Sequence, residues 1–481
     1  MSGHLIRKEI LDQILSLRFM VLSIIGVLSI WLSLYDGYAY YQARLRDHRL
    51  AQAMTSDRLS QIKDAGWSEL QYVGFEEHKP PTPMSIFIRG LDPTLGRSIS
   101  NAGSNVSGPE VRHLRWSPAE AEPILGMFPP LDLGLVVQVV ISLFVLLLSY
   151  DAVCGEKEGG TLRLTASFPV PRHRLLLGKL VGVLVPALAA FGLPLLLGIA
   201  VILALPEVKI TDLEWMRLTL IFGAFGLYLS AFVCAGLLAS CLTHRPATSF
   251  VLLLAFWVAT VVVIPRLGLI AAEAFRPAPT LREQYQERSA VWASIRASIQ
   301  TPTKDLSTWE KEHPQWQKSP EEREARQVHY LKVQEEWRAR FRLAQDRIEE
   351  ALRPRYQARL RLALALARFS PAFAFHNTTV RLAGAGIDRH QRFETAFTRD
   401  YYGRYSAWYY TLIHLNLFRE SRPDKYGPYK WDISDIPRFT YREVWLGAEL
   451  QETLIDVGLL ALWGLVFFAG AYVKMLRYDL R

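Results

Sequence analysis

The sequence predicts a mainly α, polytopic membrane protein with six transmembrane helices, an N-terminal interfacial helix and two extracytoplasmic insertions, the second largely helical. Three observations carry that prediction. Six segments reach or approach the roughly 20 apolar residues that a helix needs to cross a bilayer. Half of the 481 residues are apolar while the net charge is +9, a balance that suits spans joined to water-facing parts. Finally, a polar, glycine-broken, basic stretch from Tyr150 to Lys179 separates two apolar runs. Unpaired backbone groups are too costly in hydrocarbon for such a stretch to remain there, so it protrudes on one side.

In residues 1–18, Leu5, Ile6, Ile10, Ile14, Leu15 and Leu17 recur at helical spacing, with Arg7, Lys8, Asp12 and Gln13 between them. The pattern reads as an amphipathic helix lying in the cytoplasmic interface, or alternatively as an extension of the first span. The spans fall at 19–41, 131–153, 176–205, 216–242, 248–272 and 453–477. Their links are an outer insertion at 42–130, a cytoplasmic connection at 154–175, an outer loop at 206–215, a cytoplasmic loop at 243–247 and a second outer insertion at 273–452. The tail is 478–481.

Orientation follows from the flanks, because positive charge is retained in the cytoplasm. Arg7, Lys8 and Arg18 precede the first span; Lys157, Arg163, Arg172, Arg174 and Lys179 fill the second-to-third connection; His244 and Arg245 lie between spans four and five; Lys474, Arg477 and Arg481 end the chain. The opposite short link carries Glu207, Asp212 and Glu214 against a lone Lys209. Both termini are therefore expected in the cytoplasm. Interfacial aromatics agree, with Trp31, Tyr35, Tyr38, Tyr40 and Tyr41 late in the first span, and Trp215 and Trp445 near the outer ends of others.

The first insertion opens on a helical-looking 44–63 segment, then becomes proline- and glycine-rich, with a strand-like run from Met84 to Ile88. In the second, Thr280 is placed to cap a helix carrying Tyr285, Val291, Trp292, Ile295 and Ile299. A longer helix follows from Pro320, striped by Val333, Trp337, Phe341, Ala344, Ile348 and Leu352. The stripe reads as a helical hairpin packed on itself, and Pro354 is expected to kink or break it. Beyond Ser370-Pro371 the chain is aromatic and reads as irregular. Phe373, Phe375, Tyr401, Tyr402, Tyr405, Trp408, Tyr409 and Tyr410 suit a collar resting on the outer membrane surface.

Several function classes find no support. Basic residues in 281–361 are matched by acidic neighbours, so no stripe tracks nucleic acid. The three cysteines, Cys154, Cys234 and Cys241, lie in or beside spans, which leaves the hydrophilic stretches without disulfides. The eleven histidines are dispersed, and no metal site is expected. No Gly-x-x-x-x-Gly-Lys-Ser/Thr occurs, so ATP-driven work must come from a partner. Catalytic residues are not expected either: Asp36, Asp132, Asp151, Arg266, Glu273, Asp456 and Lys474 read mainly as interface-level charges. Asp456 and Gln138 are the intramembrane polar candidates. Gly226, Ser230 and Cys234 step by four along the fourth span and suit close helix packing, within one bundle or between subunits. Pro186, Pro194 and Pro265 can bend their helices. Asn105-Val-Ser107 and Asn377-Thr-Thr379 match the glycosylation sequon, a pattern too short to weigh.

The run Asp151…Glu156-Lys157-Glu158-Gly159-Gly160-Thr161-Leu162…Pro169-Val170-Pro171-Arg172-His173-Arg174…Gly178-Lys179 resembles the membrane subunits of type-2 ABC exporters. In that family the stretch forms the coupling helix that docks on the ATPase. The resemblance carries that role onto Glu156, Glu158, Gly160, Thr161, Leu162, Pro171 and Arg172. The residues suit it: glycines permit a sharp exit from the second span, Thr161 can cap a short helix, and Leu162, Leu164 and Phe168 would form its apolar face. Ser370-Pro371-Ala-Phe-Ala-Phe375, Leu382-Ala-Gly384-Ala-Gly386 and His390-Gln-Arg-Phe393 further resemble a subgroup with large outer insertions.

The resemblance implies the permease subunit of an ATP-driven exporter that binds no cofactor itself. Its partners would be two P-loop ATP-binding subunits that use ATP and Mg, a second permease copy or similar permease, the lipid bilayer and, given the insertions, a periplasmic or envelope protein. A scaffold that passes ATPase-driven motion to envelope partners without transport is the rival reading, and a membrane-embedded enzyme is a weaker third.

Overall fold

The structure, a computed structural model, describes residues 2–65, 75–101, 111–115, 130–162, 164, 171–298, 302–427, 434–441 and 447–478. It is mainly helical, and six helices are long and apolar enough to cross a membrane: Leu17–Asp57, Leu133–Glu158, Arg172–Leu203, Asp212–Leu242, Pro246–Phe275 and Leu450–Leu476. Helix α1, Ser2–Ile14, precedes them and packs along the start of the third span. Gly182 makes that contact possible, since a Cβ there would lie 2.5 Å from the Glu9 side chain. The second and fourth spans are the most buried, while the first, fifth and sixth leave most of their apolar surface open, as lipid-facing helices do. The sixth runs along the fourth, and the fourth meets the second where Gly236 lies against Ser149.

The first span does not end where apolarity ends. Its helix is continuous over Leu17–Ala65, 49 residues, or roughly 70 Å at about 1.5 Å per residue. The 44–63 segment expected as part of a separate domain is thus its projecting end. Just past the apolar stretch, Arg44 is buried beside Asp92, and Tyr40 donates to Asp92 at 3.0 Å. The run 84–88 is not a strand. Pro83–Ile86 form a 3-10 turn whose Met84 and Ile86 are buried with the following Phe87 and Ile88. That turn packs on the first helix at Gly37, where a Cβ would lie 2.0 Å from the Ile86 carbonyl oxygen. Strands β1 (Phe75–His78), β2 (Ser98–Asn101) and β3 (Val111–Arg115) form an antiparallel sheet in that order. In its register Glu77 stands opposite Ile99.

The second insertion supplies helices α2 (Leu281–Ser298), α3 (Pro302–Glu312), α4 (Pro320–Ala367), α5 (Pro371–Leu382), α6 (Ile387–Thr395) and α7 (Tyr402–Ser421). Thr280 and Glu283 form a reciprocal capping box at the start of α2. Helices α2 and α3 pack on α4, whose Ala344, Ile348 and Leu352 are buried. Pro354 does not break α4, which continues to Ala367. The side chains of Ile295, Ile299 and Phe341 lie outside the described residues.

The aromatic region differs from a surface collar. Phe375 on α5 is fully buried and stacks on Tyr228 of the fourth span, ring centroids 4.3 Å apart. Tyr401, Tyr405 and Tyr409 are buried with Phe393, Phe397 and Ile99, and Phe439 packs on three of these rings. These aromatics build a core between the sheet and α6–α7. Their four-residue spacing was the available signal. The side chains of Tyr402 and Tyr410, and Trp445, lie outside the described residues.

Candidate functional site: the connection between the second and third spans

The second span turns at Tyr150–Val153 and closes with the short helix Cys154–Glu158. At Gly160 φ is +74°, in the left-handed region that favours glycine, so the chain reverses there at little cost. Residues 163 and 165–170, including Phe168, lie outside the described residues. The third span begins at Arg172, with Pro171 as its N-cap.

Cations fasten this connection to the ends of other spans. Lys157 Nζ donates to the carbonyls of Cys241 at 2.6 Å, Thr243 at 2.9 Å and Ser240 at 3.3 Å, where the fourth span ends. An ammonium at that point satisfies carbonyls that the helix leaves unpaired and complements its dipole. In return, the Ser240 hydroxyl accepts the backbone N–H groups of Val153 and Cys154, each at 2.9 Å. Arg172 donates to the carbonyls of Met475 and Leu476 and so caps the sixth span in the same way.

A third cation ties the connection to α1. Lys179 is buried, with Nζ 2.7 Å from Glu156 Oε1 and 3.2 Å from Glu9 Oε1. The second Glu156 oxygen is buried without a hydrogen-bond partner among the described residues. At the edge of this cluster Arg18 reaches Asp151 Oδ2 at 2.6 Å and Tyr150 Oη at 2.8 Å.

The residues singled out from the sequence divide into inward and outward sets. Leu162 is fully buried within its own chain, whereas the sequence reading places it on the apolar face offered to a partner. Glu156, Pro171 and Arg172 serve the internal framework. Glu158 and Thr161 are exposed, and Leu164 is 66% exposed. Sequence reasoning missed Lys157 as a cap, together with Lys179, Glu9 and Ser240. The dense charge in 154–179 was visible, but its partners lie up to 304 residues away.

At the opposite end of the bundle, Asp456 is 0% exposed in the sixth span. Its Oδ2 accepts from Asn377 Nδ2 at 2.6 Å, and Arg368 Nε lies 2.8 Å from Oδ1. Asn377 of the second sequon is therefore engaged inside the protein; the first sequon lies outside the described residues. Gln138 contributes through its backbone: within the π-helical stretch Val136–Ile141 its carbonyl accepts the Tyr228 hydroxyl at 2.9 Å. Gly226 has open space around it, and Ser230 donates to the Leu227 carbonyl of its own helix. Cys234 packs with Ala235 and Phe467 of the sixth span. Among the described residues no three metal-ligating side chains are grouped.

The model of the ABC-2 family transporter proteins matches residues 4–382. This chain belongs to that family. It is a multi-pass membrane subunit of the permease type, and the match runs from α1 through five spans to the end of α5. The probable ABC transporter permease protein NosY of Pseudomonas aeruginosa is 36% identical over 101 residues, which are 20% of this chain and 33% of the relative. NosY of Stutzerimonas stutzeri is 38% identical over 91 residues, 19% of this chain and 30% of the relative. The matched region thus spans about a third of those relatives' length.

Proposed function

We propose that the chain is the permease half of an ATP-driven exporter, with the 154–171 connection as the point where force enters. Family membership supplies the context, and one observation supports the site: Lys157 and Arg172 flank this connection and hold the C-terminal ends of the fourth and sixth spans. A push on the connection is thereby delivered to two helix ends, and through Lys179 to α1. Rigid-body rocking of packed helices is a standard route to alternating access.

In this reading both termini and the connection face the bacterial cytoplasm, and two copies of a P-loop subunit hydrolyse Mg-ATP there. A second permease, identical or similar, completes the pathway. Glu158, Thr161 and Leu164 form the surface offered to the ATPase. The test is co-purification of the P-loop subunit with E158K and L164D variants. Reduced recovery with normal membrane insertion is expected, and undiminished recovery from both would remove the assignment.

A scaffold role has its own support. The outer helix α5 is locked into the bundle by the Phe375–Tyr228 stack, so span motion would reach the outer domains. ATP-dependent movement of solute or lipid in proteoliposomes containing only the permease and ATPase favours export. Vigorous ATPase without movement, restored only by an envelope partner, favours the scaffold.

A further inference from the structure

The fifth span ends at Phe275, and the chain leaves it through Arg276. The C-terminal half of α4 lies against that end. Gly268 allows the approach, since a Cβ there would sit 2.9 Å from the Ala367 nitrogen and 3.3 Å from the Ala363 carbonyl oxygen. Past this crossing the chain forms a cleft of about 700 Å³ lined by Phe275, Arg276, Ala358, Arg361 and Leu362.

The cleft has unbalanced charge. On the same helix Arg355 pairs with Glu287 at 3.3 Å, Arg359 with Glu273 at 3.4 Å and Arg368 with Asp456 at 2.8 Å. Among the described residues Arg361 has only the Gln357 carbonyl of its own helix, and Arg276 has no side-chain partner. Both guanidiniums are exposed and border apolar surface. In the orientation proposed above they stand on the outer side, where topology does not select for positive flanks.

We propose that this cleft binds the headgroup of an anionic phospholipid from the outer leaflet. The end of a span lies at headgroup depth. Two guanidiniums lining one cleft offer charged donors suited to phosphate oxygens. Leu269 and Ile270, exposed in the last turns of the span, offer apolar surface to the acyl chains. The inference rests on the membrane placement and not on export.

The full chain, stripped of lipid in neutral detergent, is titrated with phosphatidylglycerol, phosphatidylcholine or inorganic phosphate and read by native mass spectrometry. Phosphatidylglycerol should be retained about tenfold more tightly than phosphatidylcholine, and inorganic phosphate should not displace it. R276Q/R361Q should abolish the preference, while the charge-conserving R276K/R361K, which also serves as a folding control, should keep part of it. Equal retention of both lipids, or a preference that survives in R276Q/R361Q, overturns the proposal. Displacement by inorganic phosphate would make this a free-phosphate site and overturn the lipid assignment.

Discussion

The ammonium of Lys157, at the end of the second span, donates to the carbonyl oxygen of Cys241 at 2.6 Å, at the end of the fourth. It also reaches the Thr243 and Ser240 carbonyls, so one side chain closes a helix terminus 84 residues along the chain. K157M leaves those carbonyls without their charged donor. Hydrogen bonds to charged groups contribute about 1.5–3 kcal/mol, and partial exposure moves this pair toward the lower figure. K157M should therefore lower the thermal midpoint in detergent by a few degrees and weaken coupling of ATPase activity to transport, with K157R retaining part of both. An unchanged midpoint and unchanged coupling would show that the cap carries no force.

Around Lys179 the order of effects is informative. K179M leaves Glu156 and Glu9 as neighbouring carboxylates without their shared cation, whereas E9Q and E156Q each leave one ion pair intact. Removing one partner from a buried pair costs about 3–5 kcal/mol. K179M should destabilise more than either glutamate variant, and adding E156Q to it should recover part of the loss. A double-mutant cycle on thermal or denaturant unfolding checks this. Additive effects would mean that the three groups are not coupled.

The six spans, α1 and the helical hairpin could be read from the sequence because apolar length and 3.6-residue periodicity are local signals. The capping box at Thr280 and Glu283 was equally local. Where the first span stops was not legible, because the helix continues past Tyr41 on packing, the Arg44–Asp92 ion pair and the hydrogen bond from Tyr40 to Asp92. The burial of Leu162 was not legible, because a leucine in a short polar connection carries no local mark of whether its own chain covers it. Lys157 and Arg172 were legible as charges, but their acceptors are backbone carbonyls, which no residue type announces. The aromatic run after Ser370 was misread as surface, although Tyr401, Tyr405 and Tyr409 carry helical spacing.

Asp456 joins the sixth span to the end of α4 and to α5 through Arg368 and Asn377. R368M should be more damaging than D456N, because it removes the cation from a fully buried carboxylate while D456N removes the charge itself. The combined D456N/R368M variant should be more stable than R368M alone. Limited proteolysis of α4 and α5 in the intact protein would report the order. Equal protease resistance in all three would show that this contact does not anchor α4 and α5.

Gly37 sets how closely the 83–88 turn approaches the first span. A Cβ at this position would lie 2.0 Å from the Ile86 carbonyl oxygen, and backbone cannot yield as a flexible side chain can. G37A should therefore destabilise the fold by about 1–3 kcal/mol, although alanine is the better helix former by roughly 1 kcal/mol. A neutral or stabilising outcome in thermal unfolding would place the turn away from the helix.

Glu77 gives the first insertion a pH dependence. Burial in β1, near Tyr401 on the aromatic core, pushes its carboxyl from 4.5 to about 7. Because the folded state disfavours the charged form, stability from this group is complete below pH about 4.5, falls as pH rises toward 7 and changes little beyond it. E77Q cannot ionise and should flatten that part of the profile, matching the native protein at low pH and exceeding it above neutrality. Thermal midpoints between pH 4 and 8 test the sign: a native profile that rises across this window relative to E77Q would mean that Glu77 is stabilised as the carboxylate.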